Sequence, residues 1–390
     1  MDTISNEVRF FRSEHVDAPI LSGTPGALVA LLDACLVNGY GPATINSLTV
    51  EGEIASALIS SGNNYDVGDV IRVAGAAPAA LNSDWRVQEK AGNTIRWSVA
   101  GLGVPDGTAT GTISAKRAPA GWQKVFADGD RAAYRSLSHA EHNGLYLYVD
   151  DSGTTAAKVR GYESMTDIDN GVGPFPLPVA PQLPDGFYWA KAQDTNGVRR
   201  WALAADGKRI VYCPAYHASY TLRATGLHFG KLINAAPDDV WATSLNGMYD
   251  QRTAIEAYPG YNGNVIINAS NYGNISQCVQ VLARSLAGIG SPLSNRILPN
   301  GNSGDSGVYP VTSVSLPYWG IDPLIKEYPS NYGRGGFGCM RYLATSPNFT
   351  EITGFQLIGV PGNGAMLIEA GGNTARHSWL LDLGTNGRWD

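Results

Sequence analysis

Glycine and proline interrupt this chain so often that few stretches between them can hold a helix of ordinary length. They supply 47 and 22 of the 390 residues; both disfavour helix interiors and suit turns. Valine, threonine and tyrosine recur in the short stretches between them, which is typical of β-strands. Hydrophobic residues make up 44% of the chain, enough to bury a core. This distribution of residues predicts a mainly β fold, with antiparallel β-sandwich or β-barrel domains and one N-terminal α-helix.

The charge balance argues against nucleic-acid binding, and the hydropathy pattern argues against membrane insertion. The chain has 28 basic and 34 acidic residues, a formal net charge of −6, and its basic residues are scattered, which argues against nucleic-acid binding. The first residues lack the basic and apolar regions of a signal peptide. The longest apolar run, residues 26–37, contains Asp33 and is too short to span a bilayer. We therefore expect a soluble protein made in a cytoplasm, with no membrane insertion.

The predicted helix covers residues 25–37. Ser22-Gly23-Thr24-Pro25 offers an N-cap and a proline at the first helical position, and Gly39 follows the last turn. Apolar residues between them recur with the helical period and form one face, consisting of Leu28, Leu31, Leu32, Cys35 and Leu36. We expect this face to pack on the β core.

Residues 48–117 form an inserted small β-barrel or sandwich module in this interpretation. Strands are expected at 48–54, 70–75 and 108–114, with a hairpin joining Trp85–Glu89 to Thr94–Val99. Residues 1–47 then belong to the main body, which continues as β structure over 118–390, with a further division expected near 250–300.

Further strands are expected through the main body. Residues 145–149 alternate between two faces, and Trp189–Lys191, Trp201–Ala204 and Arg209–Tyr212 suggest an antiparallel meander, with a hairpin turn at Asp206-Gly207. Residues 355–359, 365–369 and 378–382 also predict strands. Residues 275–286 fit a helical face and a strand equally well.

Two short motifs resemble active-site signatures but lack their context. Gly304-Asp305-Ser306-Gly307 copies the serine-protease tetrapeptide without the sequence that surrounds the histidine base. The Gly333–Gly338 segment matches a dinucleotide-binding fingerprint, but no strand precedes it in the predicted pattern and no helix follows. We interpret both as loops.

Candidate metal ligands and paired carboxylates are equally weak. His139-Ala140-Glu141-His142 and the Asp167–Gly171 segment lack a full ligand set for zinc or calcium. The carboxylate pairs considered for glycoside cleavage are Asp150/Asp151, Asp238/Asp239 and Glu141/Glu163. The four cysteines contain no C-x-x-C and are expected to be reduced core thiols: Cys35, Cys213, Cys278 and Cys339. We expect no catalytic, cofactor-binding or metal-binding residues, so the chain is not expected to be an enzyme.

Several segments resemble a family of virion structural proteins from the tails of bacteriophages. They are Ala18–Gly26, the Asn38-Gly39-Tyr40-Gly41 segment after the helix, Ala120–Phe126, Ala132–Arg135, Tyr148–Gly153 and Gly161–Met165. In many members the Asn-Gly-Tyr-Gly segment runs almost directly into the Ala-Gly-Trp segment. Residues 67–75, 81–87 and 109–113 resemble a small β-module common in phage tail proteins. The resemblance is close over residues 8–165 and looser beyond.

This resemblance implies a structural subunit of a phage tail, in the baseplate or tail tip, located in the virion. Its expected partners are other tail or baseplate proteins and copies of itself, and we expect a monomer before assembly. An alternative is a host-receptor or glycan-binding module at the tail tip, since the 9 tryptophans, 19 tyrosines and 9 phenylalanines could stack on sugars. A second alternative is a head or neck decoration protein.

Overall fold

The fold is known from a computed structural model. It describes residues 7–138, 144–178, 186–192, 197–217, 220–224, 226–233, 235–236, 238–248, 278–292, 294–297, 324–327, 330, 332–336, 340–343, 357–360, 363–372 and 375–385. Within these ranges the chain is mainly β, in antiparallel sheets, with one short α-helix near the N-terminus. The predicted fold class is therefore confirmed.

The helical segments are α1 (Ala27–Leu32), a π-helical turn (Asp33–Asn38) and a 3-10 turn (Ala79–Leu81). The strands of the first half are β1 (Arg9–Arg12), β2 (Tyr40–Ile45), β3 (Ser47–Glu51), β4 (Ile54–Leu58), β5 (Val70–Ala74), β6 (Asp84–Arg86), β7 (Glu89–Ala91), β8 (Thr94–Ser98), β9 (Gly107–Thr108), β10 (Ile113–Arg117), β11 (Trp122–Asp128), β12 (Arg131–Ser136), β13 (Tyr146–Asp150), β14 (Ala156–Tyr162), β15 (Ser164–Met165) and β16 (Gly171–Val172). Those of the second half are β17 (Phe187–Ala190), β18 (Trp201–Ala205), β19 (Arg209–His217), β20 (Tyr220–Ala224), β21 (Leu227–Lys231), β22 (Thr243–Met248), β23 (Cys278–Leu282), β24 (Ser294–Ile297), β25 (Leu324–Glu327), β26 (Gly333–Gly336), β27 (Met340–Leu343), β28 (Leu357–Val360), β29 (Asn363–Gly372) and β30 (Ala375–Thr385).

The predicted apolar helix face is confirmed. All five of its side chains are fully buried in the main core, namely Leu28, Leu31, Leu32, Cys35 and Leu36. The helical segment runs from residue 27 to residue 38, because the last turn widens into a π-turn in which the Gly39 N–H donates to the Ala34 carbonyl. Cys35 is a free, buried thiol, as is Cys213, so the expectation of reduced core cysteines is confirmed for both.

The predicted N-cap is wrong. Gly26, not Ser22 or Thr24, precedes the first helical residue, and it makes no side-chain cap. The carboxylate of Asp151 accepts from the N–H groups of Leu28 and Val29 at 2.6 and 3.1 Å. A residue far along the chain thus supplies the cap that helix N-termini require.

The main sheet has sixteen strands. Its described order is β11-β12-β13-β14-β17-β22-β21-β19-β20-β29-β30-β27, with β1 on β18, β18 on β19, β23 on β22 and β28 on β29. Neighbours are antiparallel except β20 and β29, which meet in parallel at Arg223 and Glu369. The main core contains the buried face of α1 together with side chains from β1, β11–β14, β17–β19 and β21–β23. It joins the N-terminal segment to strands beyond residue 118.

Residues 40–117 form two separate sheets, β2-β10-β5-β6 and β7-β8-β4-β3-β9. Between them lies a second core whose members all fall between residues 43 and 115. Trp85 and Trp97 stack there with ring centroids 6.2 Å apart. We call residues 40–117 the module. The interpretation of the module as an inserted domain stays a prediction. The predicted division near 250–300 also stays a prediction, because residues 249–277 lie outside the described ranges.

Two hairpin predictions need correction. Thr94–Ser98 pairs with Glu89–Ala91, while Trp85 lies in β6 and pairs with β5 of the other sheet. In the predicted meander, β18 and β19 do form a hairpin at Asp206-Gly207, but β17 pairs with β14 and β22 instead of β18. Both errors arise because nearness in sequence does not decide which sheet a strand joins.

The remaining strand predictions agree in part with the structure. Residues 278–282 form β23, so the strand interpretation of the ambiguous 275–286 segment is right and the helical one is wrong. The expected strand at 108–114 divides into β9 and β10. The strands expected at 145–149 and near the C-terminus are present as β13, β28, β29 and β30.

Candidate functional site

A group of ionisable side chains, most of them buried, lies between β1 and the module. β1 pairs through its backbone with β18 of the main sheet, while charged side chains of its segment contact the module. We call this group the junction cluster, consisting of Arg9, Arg12, His15, Asp66, Asp69, Asp84 and Arg117.

Asp84 in β6 binds two guanidinium groups. Arg9 donates to its Oδ2 at 2.9 Å, and Arg72 of the neighbouring strand donates to Oδ1 at 2.7 Å. The side chains of Arg9 and Asp84 are 1% and 4% exposed. Because a buried charge without a partner is very costly, the buried Arg9 guanidinium is stabilised by Asp84, whose own charge is also balanced by Arg72.

Asp69 holds the centre of the cluster. Arg117 donates to its Oδ2 at 2.9 Å, and the backbone N–H of Asp66 donates to the same atom at 2.9 Å. Burial raises the pKa of Asp69, and the Arg117 guanidinium opposes that shift. Arg117 also lies over the ring of Tyr65, 5.3 Å from its centroid. Its charge is thereby shared between a carboxylate and an aromatic face.

His15 is a neutral member of this cluster. Its Nδ1 lies 2.9 Å from the Tyr40 hydroxyl, and its Nε2 lies 3.9 Å from Asp69 Oδ1. Burial, followed by the positive charges of Arg117 and Arg12, lowers the pKa of His15 to about 2. At neutral pH its contact with Asp69 is therefore not an ion pair.

His15, Asp66 and Asp69 present three ligand atoms within 4.8 Å of one another, which is a spacing that could hold a metal ion. However, cations already occupy both carboxylates. Arg117 binds Asp69 at 2.9 Å, and Asp66 accepts from Arg12 at 3.0 Å and from Lys90 at 2.9 Å. A divalent ion would face three positive charges, so this donor set does not fit one. The arrangement joins two parts of the chain by ion pairs.

A second buried contact places a serine beside a histidine. Ser244 Oγ lies 3.1 Å from His228 Nδ1, and both side chains are buried. Burial and the nearby Arg209 lower the pKa of His228 to about 3. The side-chain oxygen of Asn246 accepts from the backbone N–H of His228, and the side-chain nitrogen of Asn246 donates to the Gly226 carbonyl. The hydroxyl is enclosed, so this pair serves as an internal hydrogen bond in this conformation.

The described part of the glycine-rich motif does not form a dinucleotide-binding loop. Gly333–Gly336 is strand β26, so the interpretation of these residues as a loop is wrong. Arg334, inside that motif, donates to Asp239 at 2.6 Å and to Glu327 at 2.6 Å, and its side chain is fully buried. The Gly304–Gly307 segment lies outside the described residues.

The candidate metal ligands also resolve into turns where they are described. Asp167 Oδ1 accepts from the N–H groups of Asp169 and Asn170, both at 2.9 Å, and this closes the β15–β16 hairpin. Residues His139, Glu141 and His142 lie outside the described residues.

The carboxylates considered for glycoside cleavage separate into different environments. Asp150 accepts from Ser152 at an exposed turn, whereas Asp151 is buried against Lys191. Asp239 binds Arg334, and Glu163 binds Arg284. Each of these four carboxylates therefore has a local structural partner.

Sequence reasoning missed the junction cluster entirely. Its members come from β1, from the turn before β5, from β6 and from the end of β10, so no local spacing connects them. The one available signal was the group of isolated charges in otherwise apolar strands, such as Arg117 after Ile113 and Ala115.

In the described part of the chain, no helix combines the length and apolar character needed to cross a membrane. No protein-family model matches the chain, and no curated protein matches it at a significant level.

Proposed function

We propose that this protein is a structural subunit of a bacteriophage tail, located in the baseplate or tail tip, and that it acts through protein–protein assembly rather than catalysis. The proposal begins from the segments that resemble phage tail proteins over residues 8–165. The other members of the assembly would be copies of itself and neighbouring tail proteins.

One structural observation carries the proposal. The resembling segments on either side of the module meet around α1, although the whole module separates them in sequence. The Ala120 N–H donates to the Cys35 carbonyl at 2.9 Å, and Lys124 binds Asp33 at 2.6 Å. Tyr134 donates to the other oxygen of Asp33 at 2.9 Å. This convergence is what is expected if the segments form one body that accepts a module at Gly39.

The proposal is tested by asking whether the protein is part of a particle. Tailed particles are purified on a density gradient from a lysate of the host that carries this gene, and their proteins are identified by peptide mass spectrometry. We expect peptides of this chain to co-purify with intact tails at a fixed ratio to the tail-tube protein. Presence in the lysate together with absence from the particles would contradict the proposal.

A glycan-binding role at the tail tip is the second candidate, because aromatic rings line the outer face of β11–β14. Phe126 stacks on Tyr146 at 6.2 Å with an interplanar angle of 18°, and Tyr148 meets Tyr162 edge-on at 6.1 Å. Phe126, Tyr148 and Tyr162 are half-buried, and partly exposed rings of this kind stack on sugars.

The glycan candidate predicts that the full chain binds host surface polysaccharide in solution. Tyr148→Ala would then weaken binding by about fivefold or more, while Tyr332→Ala, at an exposed tyrosine just before β26, would leave binding unchanged. Equal binding by both variants, or no binding by the unmodified chain, would remove this candidate. A head or neck decoration role would instead show as a different location in the particle.

A further inference from the structure

The junction cluster joins two parts of the chain that have separate hydrophobic cores. The main core contains one residue of the module, Tyr40, and the module core contains only residues of the module. β1 and its flanks contact the module through charged pairs and through one aromatic contact, in which the ring centroids of Phe11 and Tyr40 lie 5.8 Å apart. The polar contacts include the pairs Arg9–Asp84 and Arg12–Asp66, together with Arg86, which donates to the Val8 carbonyl at 3.0 Å and lies 3.8 Å from Glu7.

A polar boundary of this kind opens at lower cost than an apolar one. The attraction within a buried ion pair roughly offsets the hydration that both partners lost, so the pair adds little net stability. When the boundary opens, both partners regain water. An apolar boundary would instead lose the full transfer free energy of its buried area. The junction cluster therefore costs less to open than an apolar boundary of the same area, although removing one partner of a buried pair destabilises the closed boundary.

The chain enters and leaves the module at adjacent points. Gly39 has φ 72°, and a Cβ at this position would lie 2.2 Å from the Arg117 carbonyl oxygen. The entry at Gly39 and the exit at Arg117 therefore form a narrow neck. Tyr40, the one shared core residue, stands beside this neck, where a rotation displaces it least. Hinges are commonly a few residues at the ends of elements, as here.

We propose that the module turns as one body about the Gly39–Arg117 neck, and that β1 acts as a latch that holds it in the docked orientation through the junction cluster. β1 stays on the main sheet through its backbone pairing with β18, so the latch remains in place when the module is released. This rotation follows from the geometry alone and does not depend on the proposed phage function.

The test measures the distance between the module and the main body in the full chain. Spin labels are attached through non-natural amino acids at Asn93, in the exposed β7–β8 turn, and at Asp128, at the exposed end of β11. Pulsed dipolar spectroscopy then gives the docked and released populations. Asp84→Asn removes the carboxylate that binds Arg9 and should raise the released population about tenfold or more.

A second variant moves the population in the opposite direction. The double variant Arg9→Met/Asp84→Leu replaces the buried pair with apolar side chains of similar size, and it should lower the released population. Glu89→Gln, which breaks the exposed pair with Arg96 on the module surface, should leave the distance distribution unchanged. Hydrogen exchange of residues 95–98 in β8 shows whether the module itself stays folded.

The outcomes decide the proposal in each case. A second distance in Asp84→Asn with protected β8 amides supports it, as does a narrower distribution in the double variant. A single docked distance in Asp84→Asn overturns it. If Asp84→Asn loses β8 protection, the double variant decides, and an unchanged or larger released population there overturns the proposal.

Discussion

Lys191 and Asp151 form an ion pair that is sealed inside the main body. The ammonium lies 2.5 Å from Asp151 Oδ1, and neither side chain is exposed. The other carboxylate oxygen accepts from the first turn of α1. Lys191 also donates to the Thr24 carbonyl at 2.8 Å. One carboxylate thus joins the helix start, the β13–β14 turn and the end of β17.

Replacing Asp151 with asparagine should therefore destabilise the protein strongly. The change leaves the Lys191 ammonium buried without its counter-charge and weakens the cap of α1, and we expect a loss of about 3–5 kcal/mol in the free energy of unfolding. Urea unfolding measures this loss. Asp150→Asn changes the adjacent, exposed carboxylate and should cost less than about 1 kcal/mol; similar losses in both variants would refute the role given to the buried pair.

Gly39 should tolerate no side chain. Its positive φ disfavours other residues, and a Cβ would lie 2.2 Å from a backbone oxygen, so Gly39→Ala should cost more than about 2 kcal/mol. Gly92 provides the control, since it has φ 57° in an exposed turn where an added Cβ would meet no atom within 4 Å. Gly92→Ala should cost about 1 kcal/mol. Thermal unfolding measures the loss of stability in each variant. Equal losses in Gly39→Ala and Gly92→Ala would disprove the close contact at the neck.

The stability of the protein should fall as the pH drops below about 6.5. The folded-state pKa of His15 is about 2 and that of His228 about 3, below the value of 6.5 in the unfolded chain. The unfolded chain then binds protons that the folded protein does not, so stability is present above about pH 6.5 and is lost as the pH falls toward those lower values.

His15→Gln isolates one of these histidines. Burial raises the pKa of Asp69 and of Asp151, so both carboxyls favour the folded state as the pH falls through the mildly acidic range. The variant retains both carboxyls, so their effect is the same in the variant and in the wild type. Glutamine can still bond to the Tyr40 hydroxyl. Between about pH 6.5 and pH 5, wild type should lose about 2 kcal/mol more than the variant. Parallel pH profiles in urea unfolding would show that His15 is protonated in the folded protein.

The isolated chain should be a monomer. The proposed assembly role predicts association only when neighbouring proteins are present, so sedimentation of the purified full chain should show one species of 41.4 kDa. A concentration-independent ring or fibre formed by the chain alone would contradict this expectation.

The helix and its buried face could be predicted because the signal is local. Leu28, Leu32 and Cys35 repeat with the helical period, and packing then follows from burial of one face. Likewise, the Asp206-Gly207 step predicts the β18–β19 hairpin from turn geometry alone. In each case the residues that determine the element lie within one or two turns of each other.

The helix cap and the junction cluster could not be predicted because their partners are distant in sequence. Asp151 reaches Leu28 across the main core, and Arg9 meets Asp84 across the boundary of two cores. Which distant charges meet depends on sheet order, and sheet order is not encoded in the spacing of any one segment. Trp85 shows the same limit, since it leaves the expected hairpin for a neighbouring sheet.

The proposed tail location is tested most directly by a low-resolution electron-microscopy map of the virion, with this subunit marked by gold-labelled antibody. We predict label at the distal end of the tail, in several symmetry-related copies around its axis. Label confined to the head or neck, or tailed particles that carry no label while the antibody detects the chain elsewhere in the lysate, would contradict the account.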